Sequence, residues 1–445
     1  MTLTDRFENS KIWRLLLHYS IPTIIASSVH ALYNIVDRIY IGKALGTDAL
    51  AGVTLTFPIF ILSIALGVLV GNGSATVISI KLGEKDKKTA ELALGNTIGL
   101  FIIIGLFVTF CSIFFLKPML YTVGATAKTF PYAYKYLIWF LPFMVFDFLA
   151  MGTNGAIRSE GNPHLAMKIA ITGAFLNIIL DPIFLFVFKM GVQGIALATA
   201  ISRITTASLV IYHFTLSKHR LLTLHLKNLI PQWQLTKRML AIGVAPFSMN
   251  LATTFVTVFS NRALLANGGD IAIGALGAIQ SVFIVIETPL RGLMMAGQPI
   301  IGYNYGAKLY GRVKETLKYA YLYSLVISCV GLSGVLIFGK SLISLFSKGD
   351  MELINIGSHG LTLFMVMIPF AGLHMMSAMY YQAVGKPKKA IFLNLLRKVF
   401  IFLPALFILP KFIGLDGVWL ATPIADFTAA IVAILFIYNE IMKKR

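Results

Sequence analysis

Apolar residues in this 445-residue chain fall in long blocks separated by short polar gaps. Each block runs roughly 20–30 residues, enough for a helix to cross a hydrocarbon core of about 30 Å. The pattern predicts helices near 14–41, 49–80, 91–116, 131–157, 164–188, 192–215, 239–266, 271–303, 317–338, 355–384, 388–410 and 415–440. Several exceed the length of a straight crossing, which implies tilt or extension past the bilayer. The expected class is an all-α membrane protein with twelve transmembrane helices.

The two halves of the chain repeat. Ile21-Pro22 recurs as Ala245-Pro246, and Asp37-Arg38 as Asn261-Arg262. Lys81-Leu-Gly83 is echoed by Asn304-Tyr-Gly306, and Gly161-Asn-Pro163 by Gly385-Lys-Pro387. Gly194-Ile-Ala-Leu-Ala-Thr199 returns as Gly417-Val-Trp-Leu-Ala-Thr422. Every pair is offset by 223 or 224 positions. Six spans per copy is an even number, so the copies share one topology. They are expected to be six-helix bundles related by a pseudo-two-fold axis along the membrane normal. The boundaries are 1–216, a basic linker at 217–238 containing Pro231, and 239–445. Two like bundles around a central cleft suit alternating access better than a pore.

Composition excludes the water-soluble reading. The chain is 57% hydrophobic and 13% charged, with a mean hydropathy of +0.81; soluble domains carry about 25% charged residues. Its formal charge of +20 does not point to nucleic acid, because the basic residues punctuate the gaps instead of forming one patch. With the N-terminus inside, the inner gaps collect 26 of them, from Arg6, Lys11 and Arg14 through Lys81–Lys88, Arg158–Lys168, Lys218–Arg238, Lys308–Lys318 and Lys386–Lys398 to Lys443–Arg445; the outer gaps hold 8. The positive-inside rule then places both termini in the cytoplasm, in a multi-pass protein surrounded by lipid. No cleavable signal peptide is evident: residues up to Arg14 are mixed polar. Cys111 and Cys329 lie in separate apolar runs and read as small buried residues.

Acids inside apolar spans are costly, and each is a functional candidate. These are Asp37, Asp147, Asp181, Glu287 and Asp426. Asp37, Asp181 and Thr199 fall at about 8–10 Å depth in the outer half of their spans, Asn177 shares a face with Asp181, and Tyr136 reaches the same level. Two carboxyls with amide and hydroxyl oxygens at one depth can hold a proton or coordinate Na⁺; the bland alternative is a polar cluster that specifies helix packing. The second copy has Asn261 and the Pro404-Ala405 region in place of the two acids. Glu287 either attracts a cationic substrate or pairs with Arg291, four residues on. Asp426, level with Arg203 in the repeat, is expected to pair with it across the bundles. Asp147 has no assignment. His374, with Met375 and Met376, either lines a plastic substrate surface or packs in the core.

These residues resemble the multidrug and toxic-compound extrusion (MATE) family, in its MepA- and DinF-like bacterial branch. The resemblance covers essentially the whole chain and rests on the two-bundle repeat, Pro22 ahead of Asp37-Arg-Ile-Tyr-Ile-Gly42, and Asn177-Ile-Ile-Leu-Asp181-Pro182. It implies a cation-coupling site at Asp37, Asn177, Asp181, Thr199 and Tyr136, metal-binding at Asp37 and Asp181 if the ion is Na⁺, a hinge at Pro22, and a substrate cleft that includes Glu287, His374 and Met375. Relatives with a second-lobe Na⁺ site carry acids where this chain has Asn261 and His374, which puts such a site in doubt. No metalloprotease, hydrolase or phosphate-loop motif is present, so no enzyme is expected and no cofactor beyond the coupling ion, H⁺ or Na⁺. The implied activity is antiport of amphipathic organic cations by a monomer. Rivals are a lipid-linked oligosaccharide flippase, whose cleft would be strongly basic, and a membrane-embedded acyltransferase.

Overall fold

The computed structural model describes residues 3–347 and 350–442, and among them helices and short turns account for the chain, with no strand. After a short helix Leu3–Asn9, twelve helical spans follow. They are α1 (12–46), α2 (Asp48–Gly83), α3 (Lys87–Phe114), α4 (Phe130–Ser159), α5 (Pro163–Val187), α6 (Val192–Thr215), α7 (Trp233–Gly269), α8 (Ile271–Gly306), α9 (Tyr310–Phe346), α10 (Met351–Met365 and Ile368–Ala383), α11 (Pro387–Ile408) and α12 (Pro410–Glu440). α10 bends by 45° at its break. Helices in lipid satisfy their own backbone polar groups, which is why this architecture suits so apolar a chain. Side chains such as Phe107, Phe110, Phe114, Val330 and Ile337 are exposed, a surface that suits hydrocarbon better than water. Cys329 is on that exposed face and Cys111 is only partly buried; neither is the fully buried small residue expected.

The repeat is written into the backbone. Positive φ occurs at Gly46 and Gly269, at Gly161 and Gly385, at Gly191 and Gly414, and at Lys85 and Lys308. Each pair keeps the 223 or 224 offset, so the sequence echoes mark turns of one kind used twice. At Gly161 a left-handed residue stops α4, Asn162 caps α5 by accepting from Leu165 N–H at 3.2 Å, and Pro163 occupies the first helical turn. Asp86 caps α3 in the same way through Thr89 N–H at 3.0 Å, and hydrogen bonds from the Thr89 hydroxyl and then this N–H hold its carboxyl below the usual carboxylate range.

The chain divides into two compact units, residues 1–9 with 21–243, and residues 10–20 with 244–445. The linker 217–238 belongs to the first. Glu160, just past the end of α4, accepts from Leu221 and Leu222 N–H, Glu91 on α3 accepts from Thr223 N–H at 3.0 Å, and α3 lies close enough that a Cβ at Gly99 would sit 1.8 Å from Leu229 O. Each unit's leading helix therefore starts in the other unit's grouping: α1 changes unit at Ile21, beside Pro22, and α7 at Val244, two residues before Pro246. Within the first unit the start of α7 crosses α2 backbone to backbone. A Cβ at Gly73 would meet Met239 O at 1.9 Å, and one at Gly243 would meet Leu69 O at 1.7 Å, so only glycine fits there. In the second unit Leu264, Ile279, Ile343, Leu361, Met365 and Trp419 form the buried core.

Candidate functional site

α5 places Asn177 and Asp181 one turn apart on the same face, and α6 presents Thr199 to them. Asn177 Nδ2 stands 3.4 Å from both Asp181 Oδ1 and Thr199 Oγ1, and the Thr199 hydroxyl donates to Ile195 O at 3.0 Å. The Asp37 and Asp181 carboxyls lie within hydrogen-bonding distance of each other. The Tyr136 hydroxyl reaches Thr199 and faces Asp37, Asp181 and Tyr33. Asp181 is 0% exposed and Asn177 2%, while Asp37 on α1 is only partly buried. All five residues proposed from sequence converge. Counted from Phe130 at the start of α4, Val187 at the end of α5 and Val192 at the start of α6, Tyr136, Asp181 and Thr199 lie about 9–10 Å in. Asp181 Oδ2 and Asn177 Oδ1 are buried with no hydrogen-bond partner among the described residues, leaving oxygen lone pairs for a proton or a cation.

The backbone after Asp181 is unusual. Pro182 withholds an N–H from the helix, and Ile183–Val187 winds as a π-helix. Such turns recur at functional positions in helices. On α1 the helix remains continuous through buried Pro22, with Asp37 fifteen residues further on the same rod.

One turn below Thr199, Arg203 closes the site from beneath. Its Nε is 2.9 Å from Asp147 Oδ1 and its Nη2 donates to Tyr33 OH at 2.7 Å; the His30 ring packs edge-on against Tyr33 at 4.8 Å. This corrects the expected Asp426–Arg203 pair. Asp426 instead pairs with Arg397 Nε at 2.5 Å, because each buried charge finds its partner on an adjacent helix of its own bundle. Arg397 and Lys398 were grouped with the inner basic residues; they lie midway along α11, and Arg397 is buried.

In the second unit Glu287 pairs with Arg291 Nη2 at 3.0 Å, the intrahelical alternative read from its spacing. His374 and Met375 are buried, with His374 Nε2 2.9 Å from Leu393 O, so neither lies on an open surface. Asn154 sits near the C-terminal end of α4, donating to Ala166 O at 3.0 Å and accepting from Arg158, away from the Asp37–Asp181 cluster. Among the described residues no group of three or more His, Cys, Asp or Glu is arranged for a metal; a Na⁺ at the cluster would depend on amide and hydroxyl oxygens as well as the two acids.

Duplicated six-helix units, one of them built around a pair of acids on facing helices, define a polytopic α-helical membrane protein with an intramembrane acid site. The chain belongs to the MatE family, whose family model matches residues 22–183 and 242–407, one stretch in each repeat. It is 29% identical over 435 residues to the multidrug export protein MepA of Staphylococcus aureus strain NCTC 8325, covering 97% of this chain and 95% of that one. A solved structure of a MATE protein in a bent conformation is 25% identical, with a TM-score of 0.93 over 100% of this chain and 98% of that chain. A structure in a straight conformation is 24% identical, with a TM-score of 0.93 over 99% of each chain.

Proposed function

We propose that the protein is a cation-coupled antiporter that exports amphipathic organic compounds, chiefly cations, by alternating access. The observation that carries this reading is the contact between Asp37 and Asp181 in a buried cluster with Asn177, Thr199 and Tyr136. Two bare carboxylates at that separation repel, so the pair holds either a shared proton or a cation. Asp37 rides on α1 about 22 Å along the helix from Pro22. Losing the proton, or gaining a cation, changes what anchors the outer part of α1. The helix then bends where proline has already removed a backbone bond. Support for the bend comes from the same fold having been solved in bent and straight forms. Support for drug export comes from the name of the staphylococcal relative. The surplus of basic residues in the inner gaps supports cytoplasmic termini, even with Arg397 and Lys398 set aside.

The test is efflux of a fluorescent cation from proteoliposomes under separately imposed pH and Na⁺ gradients, which also identifies the coupling ion. Asp37→Asn and Asp181→Asn should each abolish gradient-driven export while the protein still inserts and still binds the dye. The double variant should be little worse than either single one, because the acids act as a unit. Near-normal pumping by either variant, with its ion dependence intact, makes the cluster structural.

A further inference from the structure

The second unit carries five charges midway along its spans: Glu287 and Arg291 on α8, Arg397 and Lys398 on α11, and Asp426 on α12. Lys398 lies eleven residues from the start of α11, about 16 Å in, and Glu287 and Asp426 are each sixteen residues from the start of theirs. None is near enough to a helix end to snorkel to the interface. Four of the five are used up in pairs: Glu287 with Arg291 at 3.0 Å, and Asp426 with Arg397 at 2.5 Å. Lys398 is left over. Among the described residues it feels Glu287, Asp426, Arg291 and Arg397 only through space and makes no ion pair or hydrogen bond of its own. The sum is three cations against two anions.

An ammonium group at this depth without an anion beside it is costly, and such residues mark sites where something else supplies the charge. Two further observations single out Lys398. As a residue it is only partly buried, whereas the Arg397–Asp426 pair next to it is buried. It also stands, with Arg397, on the π-helical stretch Leu396–Phe402, the kind of local unwinding that recurs at functional sites in helices. Glu287 cannot make this region attractive to cations, because Arg291 and Lys398 outweigh it.

We infer that Lys398, backed by Arg397, is a binding site for the carboxylate of an amphipathic substrate, so that compounds with a free carboxylate, zwitterions included, are recognised in the second unit. This deepens the exporter reading and rests on it. The paired charges act as a fixed scaffold: Asp426 holds Arg397, Arg291 holds Glu287, and Lys398 donates to the incoming oxygen.

The probe is a matched pair of dyes, rhodamine 110 with its free carboxyl and rhodamine 123, its methyl ester. Binding is measured on purified protein by fluorescence polarisation with no ion gradient. Wild-type protein should bind rhodamine 110 at least as tightly as the ester. Lys398→Met should weaken rhodamine 110 about tenfold, the scale of one charge-assisted hydrogen bond, and leave rhodamine 123 within about twofold. Lys398→Arg should keep the wild-type preference. Equal changes for the two dyes, or none, overturn the assignment. If Lys398→Met fails to fold, the wild-type comparison decides: rhodamine 123 bound and rhodamine 110 rejected overturns it as well. Neither dye binding would instead sink the exporter reading beneath it.

Discussion

Replacing Asp147 by asparagine isolates the ion pair beneath the acid cluster. The side chains of Asp147 and Arg203 are 7% and 18% exposed, and the contact is 2.9 Å. Breaking a fully buried pair by removing one partner costs about 3–5 kcal/mol, mainly because the other charge is stranded. Arg203 retains its bond to Tyr33 OH at 2.7 Å and some access to solvent, so the lower end, about 3 kcal/mol, is expected. In a unit of this size that corresponds to a fall of about 6–12 °C in the unfolding midpoint. Thermal unfolding of detergent-purified protein, followed by tryptophan fluorescence or circular dichroism, reads the shift. Adding Arg203→Met removes the stranded guanidinium, and the double variant should recover much of the loss, with a coupling of about 2 kcal/mol. Additive losses, or a midpoint unchanged by Asp147→Asn, would refute the claim that the pair is a neutralised unit.

Gly243→Ala should destabilise the protein by about 1–3 kcal/mol or more, because its methyl would lie 1.7 Å from Leu69 O; a midpoint within a degree of wild type would contradict the backbone contact. Glu160→Gln together with Glu91→Gln should weaken the hold on 221–225 and speed limited proteolysis there, with unchanged cleavage as the contrary result. In intact cells, a cysteine at Asn267 should react with an impermeant maleimide added outside and one at Lys227 should not; the reverse would invert the topology.

The helical spans and the repeat were legible because bilayer thickness and turn chemistry leave direct marks in sequence. Gly161-Asn-Pro163 and Gly385-Lys-Pro387 announce one turn used twice, and Gly46 and Gly269 fall into the same register. Asp37, Asn177, Asp181, Thr199 and Tyr136 could be gathered because depth along a helix is countable. Partners across helices could not be counted in that way. Arg203 and Asp426 occupy the same repeat position with opposite sign, yet each is neutralised by a different neighbouring helix, α4 in one unit and α11 in the other. Rotation about a helix axis decides that, and spacing along the chain does not encode it. Arg397-Lys398 carried a signal, two adjacent bases inside an apolar block, that positive-inside counting absorbed as loop charge. The linker's docking was hidden because Glu91 and Glu160 bind backbone N–H groups, which any sequence supplies.

The exchange of first turns at Pro22 and Pro246 bears on how the chain is made. Ser10 O accepts from Arg312 at 2.7 Å and Trp13 O from Tyr323 OH at 3.3 Å, the latter a separation of 310 residues. At about 5–20 residues per second of synthesis, Trp13 waits about 15–60 s for that partner to exist. During that interval the stretch from Ile21 to Gly243 can assemble around the remainder of α1, while residues 10–20 stay without their final neighbours. A gene cut at the linker would thus yield two fragments that each lack an end held by the other. The N-terminal fragment would carry the start of α1 without its partners, and the C-terminal one would leave Arg312 and Tyr323 without Ser10 O and Trp13 O. Co-expressed, the halves should assemble only as a pair, because the first turns of α1 are made long before the residues that hold them.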